Sequence, residues 1–289
     1  MNYFFHILIM IAIYLILTLS LNLLMGFTGL FSLAHAAFYA IGAYISTLLM
    51  VKMGFNFFLT LPLVILGAMI LAVIIAIPSL RLKGDYFLLS TLAFQIIVFS
   101  ILYNWISLTR GPYGIPGIPK PRIFGFEFKE IPQYLILAGS IALLISLIFK
   151  RIYFSPFGRV LKSIREDEIV ANALGKNTTK FKISAFIISG GLAAIAGSLY
   201  ASYVTYIDPT SFTLDESIFI ISIIIIGGAG NFKGPLIGTI IMIFLPEILR
   251  FLRIPDTIAA NMRQIIYGLL LIIFMRIRPQ GILGEYKFE

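Results

Sequence analysis

The polar stretch SPFGRVLKSIREDEIVANALGKNTTKFK, residues 155–182, interrupts a chain that is otherwise apolar enough to lie in lipid. It contains six of the 22 Lys and Arg residues and three acidic residues. Ser155 is a suitable N-cap, and Pro156 suits the first position of a helix. Apolar residues follow at helical spacing as far as Ile164, and a second apolar run stops at Gly175, which suits a helix C-terminus. The stretch therefore predicts two short, consecutive helices.

From composition alone, two interpretations of these short helices remain open. A basic loop between apolar segments is typical of the cytoplasmic side of a membrane protein, where it is simply solvated. The alternative is a docking element, because capped amphipathic helices can press an apolar face into a partner protein. The rest of the chain is needed to choose between the two.

The composition of the whole chain indicates a membrane protein that crosses the bilayer several times. Of 289 residues, 60% are hydrophobic and 12% are charged, and many apolar runs are long enough to span the hydrocarbon. The net charge of +9 does not indicate a nucleic-acid partner, because the basic residues sit in short loops between apolar runs. Cysteine is absent, which excludes disulfides and thiolate chemistry. The first apolar run, residues 3–25, is expected to be a retained helix, not a removed signal peptide.

We predict an all-α fold, a polytopic transmembrane bundle of about nine crossings within a range of eight to ten. The whole chain, residues 1–289, is expected to form one transmembrane domain. The apolar segments cover residues 3–25, 31–51, 60–80, 86–108, 133–149, 183–206, 217–226, 236–249 and 263–275. Residues 109–132 are rich in Pro and Gly and are predicted to be non-helical.

The bias of Lys and Arg between loops predicts the orientation. Residues 150–182 and the basic tail, residues 276–287, are expected to be cytoplasmic, together with Arg81 and Lys83. The short acidic loop 208–216 contains no basic residue and is expected outside. If successive apolar segments cross the membrane in alternating directions, residues 109–132 and the N-terminus are outside. The alternative is a broken or re-entrant helix over residues 26–44, which would change the parity.

Small residues predict where helices approach one another closely. In the sixth apolar segment they recur at intervals of four, which gives a packing face on each of two rows. The predicted packing residues are Gly190, Ala194, Gly197 and Ala201.

The residue types that carry catalysis are not grouped in this sequence. No phosphate-binding loop of the G-x-x-x-x-G-K-[ST] type occurs, so the chain is expected to hydrolyse no ATP by itself. Its two histidines, His6 and His35, are far apart, which gives no metal site of the usual spacing. Few ionisable residues fall in the spans, which weakens the case for a proton-driven carrier.

Polar and glycine residues within apolar segments are candidates for lining a translocation path. One set is polar and has an alternative reading, in which its members bond to one another or to neighbouring helices. It comprises Ser32, His35, Gln95 and Asn104. A second set lies in a Gly-rich turn, which is either a plain helix hairpin or an unwound segment beside the path. It comprises Gly227, Gly228 and Gly230.

Several short motifs follow one another along nearly the whole length of the chain. They are GLFSLAH (29–35), AFYAIGAY (37–44), LRLKGDYF (80–87), TLAF (91–94), TRGPYGIPGIP (109–119), SPFGR (155–159), IREDE (164–168), Ala171, Gly175, Pro209, Ser211, Phe212, IGGAG (226–230), Gly234, Pro235 and RPQGI (278–282). In this order they resemble the motifs of the permease subunits of branched-chain amino acid ABC importers, and among those subunits the LivM type. Any one motif is a weak signal, but their common order is specific.

The resemblance implies a non-enzymatic subunit of a heteromeric importer in the cytoplasmic membrane of a prokaryote. Its partners would be a homologous second permease, two ATPase subunits that bind ATP and Mg, and an extracytoplasmic substrate-binding protein. This chain itself would bind no cofactor. The loop 150–182 would couple to the ATPases, which favours the docking interpretation. The coupling residues are Arg159, Arg165, Glu166, Glu168, Ala171 and Gly175.

Two other functions stay open in the sequence. The first is a stand-alone secondary transporter or channel, which has no need of a capped, amphipathic helix pair in a cytoplasmic loop. The second is an ABC permease of the same family that carries urea or amides.

Overall fold

The computed structural model describes residues 2–123, 125–251, 256–278 and 280–284, and these form an almost entirely helical protein. The predicted all-α fold is confirmed. The helices are α1 (Asn2–Thr28), α2 (His35–Met53), α3 (Phe57–Ser79), α4 (Asp85–Asn104), α5 (Ile106–Thr109), α6 (Ile131–Phe154), α7 (Pro156–Glu166), α8 (Glu168–Ala173), α9 (Thr178–Val204), α10 (Leu214–Gly227), α11 (Lys233–Phe251) and α12 (Asp256–Ile277). Residues 279 and 285–287 of the predicted basic tail lie outside the described residues.

Seven stretches of the described chain are long and apolar enough to cross a membrane. They are α1, α2, α3, α4, α6, α9 and the run from Pro209 to the end of α10. Two shorter apolar helical stretches, Lys233–Pro246 and Ile265–Ile277, follow in the described residues. The multi-pass architecture is therefore confirmed, whereas the number of nine crossings stays a prediction.

The centre of the bundle is formed by α1, α2 and α9, with α3 packed along α9. A Cβ atom at Gly197 would overlap the main-chain oxygen of Tyr39, so α9 and α2 meet backbone to backbone. A Cβ at Gly190 would lie 3.1 Å from the Cβ of Ala72, which brings α3 into the same contact. Ala194 and Ala201 are fully buried. The small-residue rows of α9 thus lie inside the bundle, where close approach needs them.

The helices end on two opposite faces of the bundle, which we name by their contents. The short-helix face carries α7 and α8, the end of α1, the turn between α3 and α4, and the α10–α11 connection. The loop face carries residues 105–130 and 205–213 together with the connection between α2 and α3.

Residues 109–132 form the main part of the loop face and are non-helical apart from their ends, as predicted. A 3-10 turn, Gly111–Tyr113, leads into strand β1 (Ile115–Pro116), and β2 (Arg122–Ile123) pairs antiparallel with β3 (Phe126–Glu127). Strand β1 pairs antiparallel with β4 (Tyr206–Ile207), with Ile115 opposite Ile207. The segment is therefore tied to the connection that follows α9.

Two predicted boundaries on this chain are wrong. The apolar run 31–51 becomes helical only at His35, and residues 29–34 are non-helical. The acidic loop 208–216 ends early, because Asp215 and Glu216 occupy the first turn of α10. Carboxylates in that position are favoured by the N-terminal dipole of a helix. Before them, Asp208 caps a 3-10 turn by accepting a hydrogen bond from the Ser211 amide at 3.0 Å.

The non-helical connections 29–34 and 205–213 both reach into the middle of the bundle. His35 Nε2 lies 2.7 Å from Ser20 Oγ. Ser20 lies about 12 Å before the end of α1 at Thr28, at a rise of about 1.5 Å per residue. The start of α2 therefore lies well inside the bundle. From the opposite face, the oxygen of Phe212 accepts a hydrogen bond from Gln95 Nε2, halfway along α4, at 2.9 Å. The Ala36 amide donates to Ser217 Oγ at 3.0 Å, so the first turns of α2 and α10 meet there. The suggested break within residues 26–44 is present.

Candidate coupling and translocation sites

Helix α7 is fixed to the bundle by its cap and by its apolar side. Ser155 Oγ accepts a hydrogen bond from the Gly158 amide at 3.1 Å, as the sequence predicted for an N-cap. Leu161 and Ile164 are buried, whereas Arg159 is exposed on the other side. The amphipathic pattern thus packs one side of α7 against the bundle and leaves Arg159 exposed on the other.

Arg165 joins α7 to the end of α1. Its guanidinium donates a hydrogen bond to the main-chain oxygen of Gly26 and forms an ion pair with Glu166, with Nη2 and Oε1 2.6 Å apart. The side chain of Arg165 is only 6% exposed, but that of Glu166 is 64% exposed. Arg165 therefore contacts the bundle of this chain, and its predicted part in coupling stays a prediction. Its long side chain reaches inward to an unpaired carbonyl at a helix C-terminus.

Helix α8 is capped and held in a similar way. Asp167 Oδ1 accepts hydrogen bonds from the amides of Ile169 at 2.8 Å and Val170 at 3.0 Å. Glu168 forms an ion pair with Lys182 of α9, with a distance of 2.6 Å. Burial acts to raise the pKa of Glu168, but the hydrogen bond and charge of Lys182 outweigh it and hold the pKa below its usual value. Glu168 thus ties α8 to α9 while its side chain stays 40% exposed, and its predicted part in coupling stays a prediction.

The surface that α8 leaves open is apolar. Ile169 is 81% exposed, Val170 53% and Leu174 72%, although each is a residue type that normally avoids water. Ala171 is buried on the opposite side, so its predicted contact with a partner is replaced by packing within this chain. Gly175 ends the element at φ +76°, a conformation that favours glycine, with no atom near its missing Cβ.

The Gly-rich turn between α10 and α11 is a closely packed hairpin at the short-helix face. Cβ atoms at Gly227 and Gly228 would overlap the backbone of Gly234 and Gly284, respectively. Gly230 has φ +86° and its amide lies beside Gly26 of α1. Main-chain packing buries these glycines. Of the two readings of this turn, the structure therefore shows the helix hairpin.

Asn22 on α1 binds this hairpin and was not singled out from the sequence. Its side chain is fully buried, accepts a hydrogen bond from the Gly230 amide at 3.0 Å and donates to the Asn231 oxygen at 2.8 Å. An Asn inside an apolar run was the available signal, because a buried amide needs partners for all its polar atoms. Gly26, which accepts the Arg165 hydrogen bond, lies one turn further along α1.

Three of the four polar residues proposed for a path are buried in the bundle. Ser32 and His35 lie at the start of α2, and Gln95 lies on α4 against Phe212. Among the described residues, His35 Nδ1 and Gln95 Oε1 are buried and have no hydrogen-bond partner. Asn104 is exposed at the end of α4 and donates to its own helix at Ser100, so it lies apart from the others.

A cavity of about 560 Å³ opens at the loop face between α1, α2 and α10. Glu216 lines it together with Tyr14 and Tyr39, and none of the three was proposed from the sequence as a site residue. The available signal for Glu216 was an acidic residue directly before a long apolar run, but it was counted as part of a loop.

A bundle of membrane-length helices, two connections that reach its middle and a capped helix pair on one face define a multi-pass helical membrane protein. The chain belongs to the family described as "Branched-chain amino acid transport system / permease component", which matches residues 3–275. The resemblance found in the sequence motifs is thereby confirmed.

Individual relatives agree with this family. The LivM permease protein of the high-affinity branched-chain amino acid transport system of Salmonella typhimurium is 34% identical, over 95% of this chain and 68% of its own length. A probable LivM permease protein of Methanocaldococcus jannaschii is 28% identical over 96% of this chain and 92% of its own. The LivH permease protein of Salmonella typhimurium is 25% identical over 96% of this chain and 92% of its own length. No solved structure matches the chain.

Proposed function

We propose that this chain is one of two different permease subunits of an ATP-driven importer of branched-chain amino acids. Separate ATPase subunits hydrolyse MgATP at the short-helix face, and a soluble binding protein delivers substrate at the loop face. The second permease is a homologous chain of the LivH type, because Salmonella typhimurium has both a LivM and a LivH permease similar to this chain. The short-helix face lies in the cytoplasm, following the bias of basic residues.

The observation that carries this proposal is the construction of the α7–α8 pair. Its inner side is fixed by Leu161, Ile164 and the Arg165 hydrogen bond, while its outer side exposes Ile169 and Leu174. A loop that served only as a connector would have no need of both caps and an exposed apolar cluster. An ATPase that binds the outer side would therefore move the ends of α1 and α9 with it.

The surroundings of α8 suit such a partner. A cleft of about 800 Å³ lies between Ile169 and Asn172 of α8, the turn around Lys83 and the 29–31 segment. Clefts of this size accept part of another chain, and apolar anchors in such sites dominate binding. The cleft gives an ATPase subunit a second point of attachment beside the exposed apolar residues.

Reconstitution into proteoliposomes tests the proposal. The chain is purified with the second permease and the ATPases that neighbouring genes encode, and uptake of labelled leucine is followed with the corresponding binding protein outside. We expect uptake that requires ATP inside and the binding protein outside. Leucine uptake by this chain alone, driven by an ion gradient, would instead establish a stand-alone carrier. ATP-dependent uptake of urea or amides without leucine would overturn the substrate assignment.

A further inference from the structure

The cavity at the loop face combines a free carboxylate oxygen with aromatic and aliphatic walls. Glu216 accepts a hydrogen bond from the Tyr14 hydroxyl. Its other oxygen, Oε1, is buried and has no hydrogen-bond partner among the described residues. Asp215 and His6 also line the cavity. A buried carboxylate with one unpartnered oxygen is suited to a positively charged group.

Tyr39 gives an independent observation of the same kind. Its side chain is 1% exposed and lines the cavity, and its hydroxyl has no hydrogen-bond partner among the described residues. Buried polar groups are almost always hydrogen-bonded, so two unpartnered groups on one cavity are well suited to bind one polar ligand together. Glu216 and Tyr39 come from different helices, α10 and α2, that meet only in the folded bundle.

The remaining walls indicate what else the ligand carries. Tyr200 adds a third aromatic ring, and aromatic faces stabilise organic ammonium groups. Ile7, Met10 and Phe219 give the cavity an apolar side. Its volume of about 560 Å³ lies within the range of small-molecule sites, roughly 300–1,000 Å³. A compact amphiphile with one cationic end and one aliphatic end fits this lining.

We propose that the cavity is a transient binding site in which Glu216 and Tyr39 receive the α-ammonium group of an amino acid. The aliphatic side chain of the amino acid then lies against Ile7, Met10 and Phe219. This inference rests on the proposed function, since it makes the cavity an early station for the imported substrate. It also assigns to the permease a part of the selectivity for amino acids over the corresponding acids.

The absence of native cysteine provides a direct test that does not depend on transport. Thr210, which is exposed and lines the cavity, is replaced by cysteine as a reporter in the full-length chain in membrane vesicles. The rate of its labelling by uncharged N-ethylmaleimide is measured with increasing 3-methylbutylamine or 4-methylpentanoic acid. These two probes carry the ends of leucine separately, because the first has only the amine and the second only the carboxylate.

We expect the amine to protect the reporter and the acid not to protect it. Glu216→Gln keeps the shape but removes the charge, so the amine concentration for half protection should rise roughly tenfold or more, as for the loss of a charge-assisted hydrogen bond. Glu127→Gln is the matched control, because it removes a carboxylate from the same face that is paired with Lys129 outside the cavity. Tyr39→Phe serves as a second variant if Glu216→Gln fails to insert, and it should weaken protection several-fold.

Three results would overturn the inference: equal protection of Glu216→Gln and the parent, protection by the acid as strong as by the amine, or protection by sodium chloride alone. The last result would indicate a metal cation. Failure of the proposed function has a different signature, because the reconstituted complex would then not import leucine while amine protection still depended on Glu216.

Discussion

The guanidinium of Arg165 on α7 donates a hydrogen bond to the main-chain oxygen of Gly26 on α1, across 139 positions of sequence. Gly26 in turn packs against the Gly230 amide, which Asn22 holds from the same helix. One connected layer therefore runs from the short helix α7 through the end of α1 to the α10–α11 hairpin. We therefore expect a movement of α7 to be transmitted to α1 and to the α10–α11 hairpin through these direct contacts.

This layer predicts the phenotype of Arg165→Gln. Because Arg165 faces the bundle, the variant should still co-purify with ATPase subunits, but ATP-driven uptake should fall strongly. Loss of a hydrogen bond to a charged group also lowers the free energy of unfolding by about 1.5–3 kcal/mol. Arg159→Gln is the control, because Arg159 is exposed on the same helix. Loss of co-purification in Arg165→Gln with normal stability would place Arg165 at the partner contact instead.

Asn22→Ala should destabilise the same layer from its other side. The substitution leaves the buried Gly230 amide without its partner, which costs about 1–3 kcal/mol, and it also removes the hydrogen bond to the partly buried Asn231 oxygen. We expect a lower thermal unfolding midpoint in detergent and reduced uptake. Asn104→Ala is the matched control, because Asn104 is exposed and bonds only within its own helix turn. Equal midpoints for the two variants would contradict the assignment.

The contact between α9 and α2 predicts a contrast between two glycines. Gly197→Ala should lower stability by about 1–3 kcal/mol, because the added methyl group overlaps the Tyr39 oxygen and forces the helices apart. Gly139→Ala on α6 has open space around its Cβ and should stabilise its helix by about 1 kcal/mol. Thermal unfolding of the purified chain distinguishes them. A Gly197→Ala variant as stable as the parent would mean that α9 packs more loosely.

The outer surface of α8 predicts separate outcomes for neighbouring residues. Ile169→Asp should abolish co-purification of ATPase subunits while the chain remains inserted and stable, since Ile169 is 81% exposed. Ala171→Glu should instead lower stability, because Ala171 is buried and a carboxylate there has no partner. Gly175→Leu introduces backbone strain of about 1–2 kcal/mol at φ +76° without a steric clash. Wild-type co-purification in Ile169→Asp would show that the ATPase binds elsewhere.

The orientation of the two faces is tested by single cysteines in this cysteine-free chain. Tyr113→Cys on the loop face, where the native side chain is 78% exposed, should react in intact cells with an impermeant thiol reagent. Ile169→Cys on the short-helix face should react only after the cells are permeabilised. The reverse pattern would invert the topology and move the proposed landing surface of the binding protein to the other side.

Sequence reasoning was most successful where local chemistry decides the structure. Apolar length predicted the helices, Ser155 and Gly175 predicted the limits of the α7–α8 pair, and Pro and Gly predicted the irregular 109–132 segment. In each case the signal lies within a few residues of the structural consequence. Small-residue spacing on α9 likewise anticipated close packing, because missing side chains leave space whichever helix fills it.

The errors concern partners that are distant in the sequence. In the sequence, Arg165 looks like a solvated basic residue and Glu168 like a solvated acidic one. Only the folded chain shows that Arg165 contacts Gly26 and that Glu168 pairs with Lys182. Glu216 was assigned to a loop because nothing in its neighbourhood reveals that Tyr14 and Tyr39 surround it. Such contacts depend on how non-adjacent helices assemble, and that information is absent from local periodicity.

The β1–β4 ladder has a mechanical consequence for the outer mouth of the protein. Ile115 pairs with Ile207, and Thr210, Ser211 and Thr213, which line the cavity, follow a few positions later. We expect a protein that presses on the exposed ring of Tyr113 to displace the rim of the cavity through this pairing. Docking of the proposed binding protein would then widen the cavity mouth, so the contact that delivers the substrate would also open its entrance.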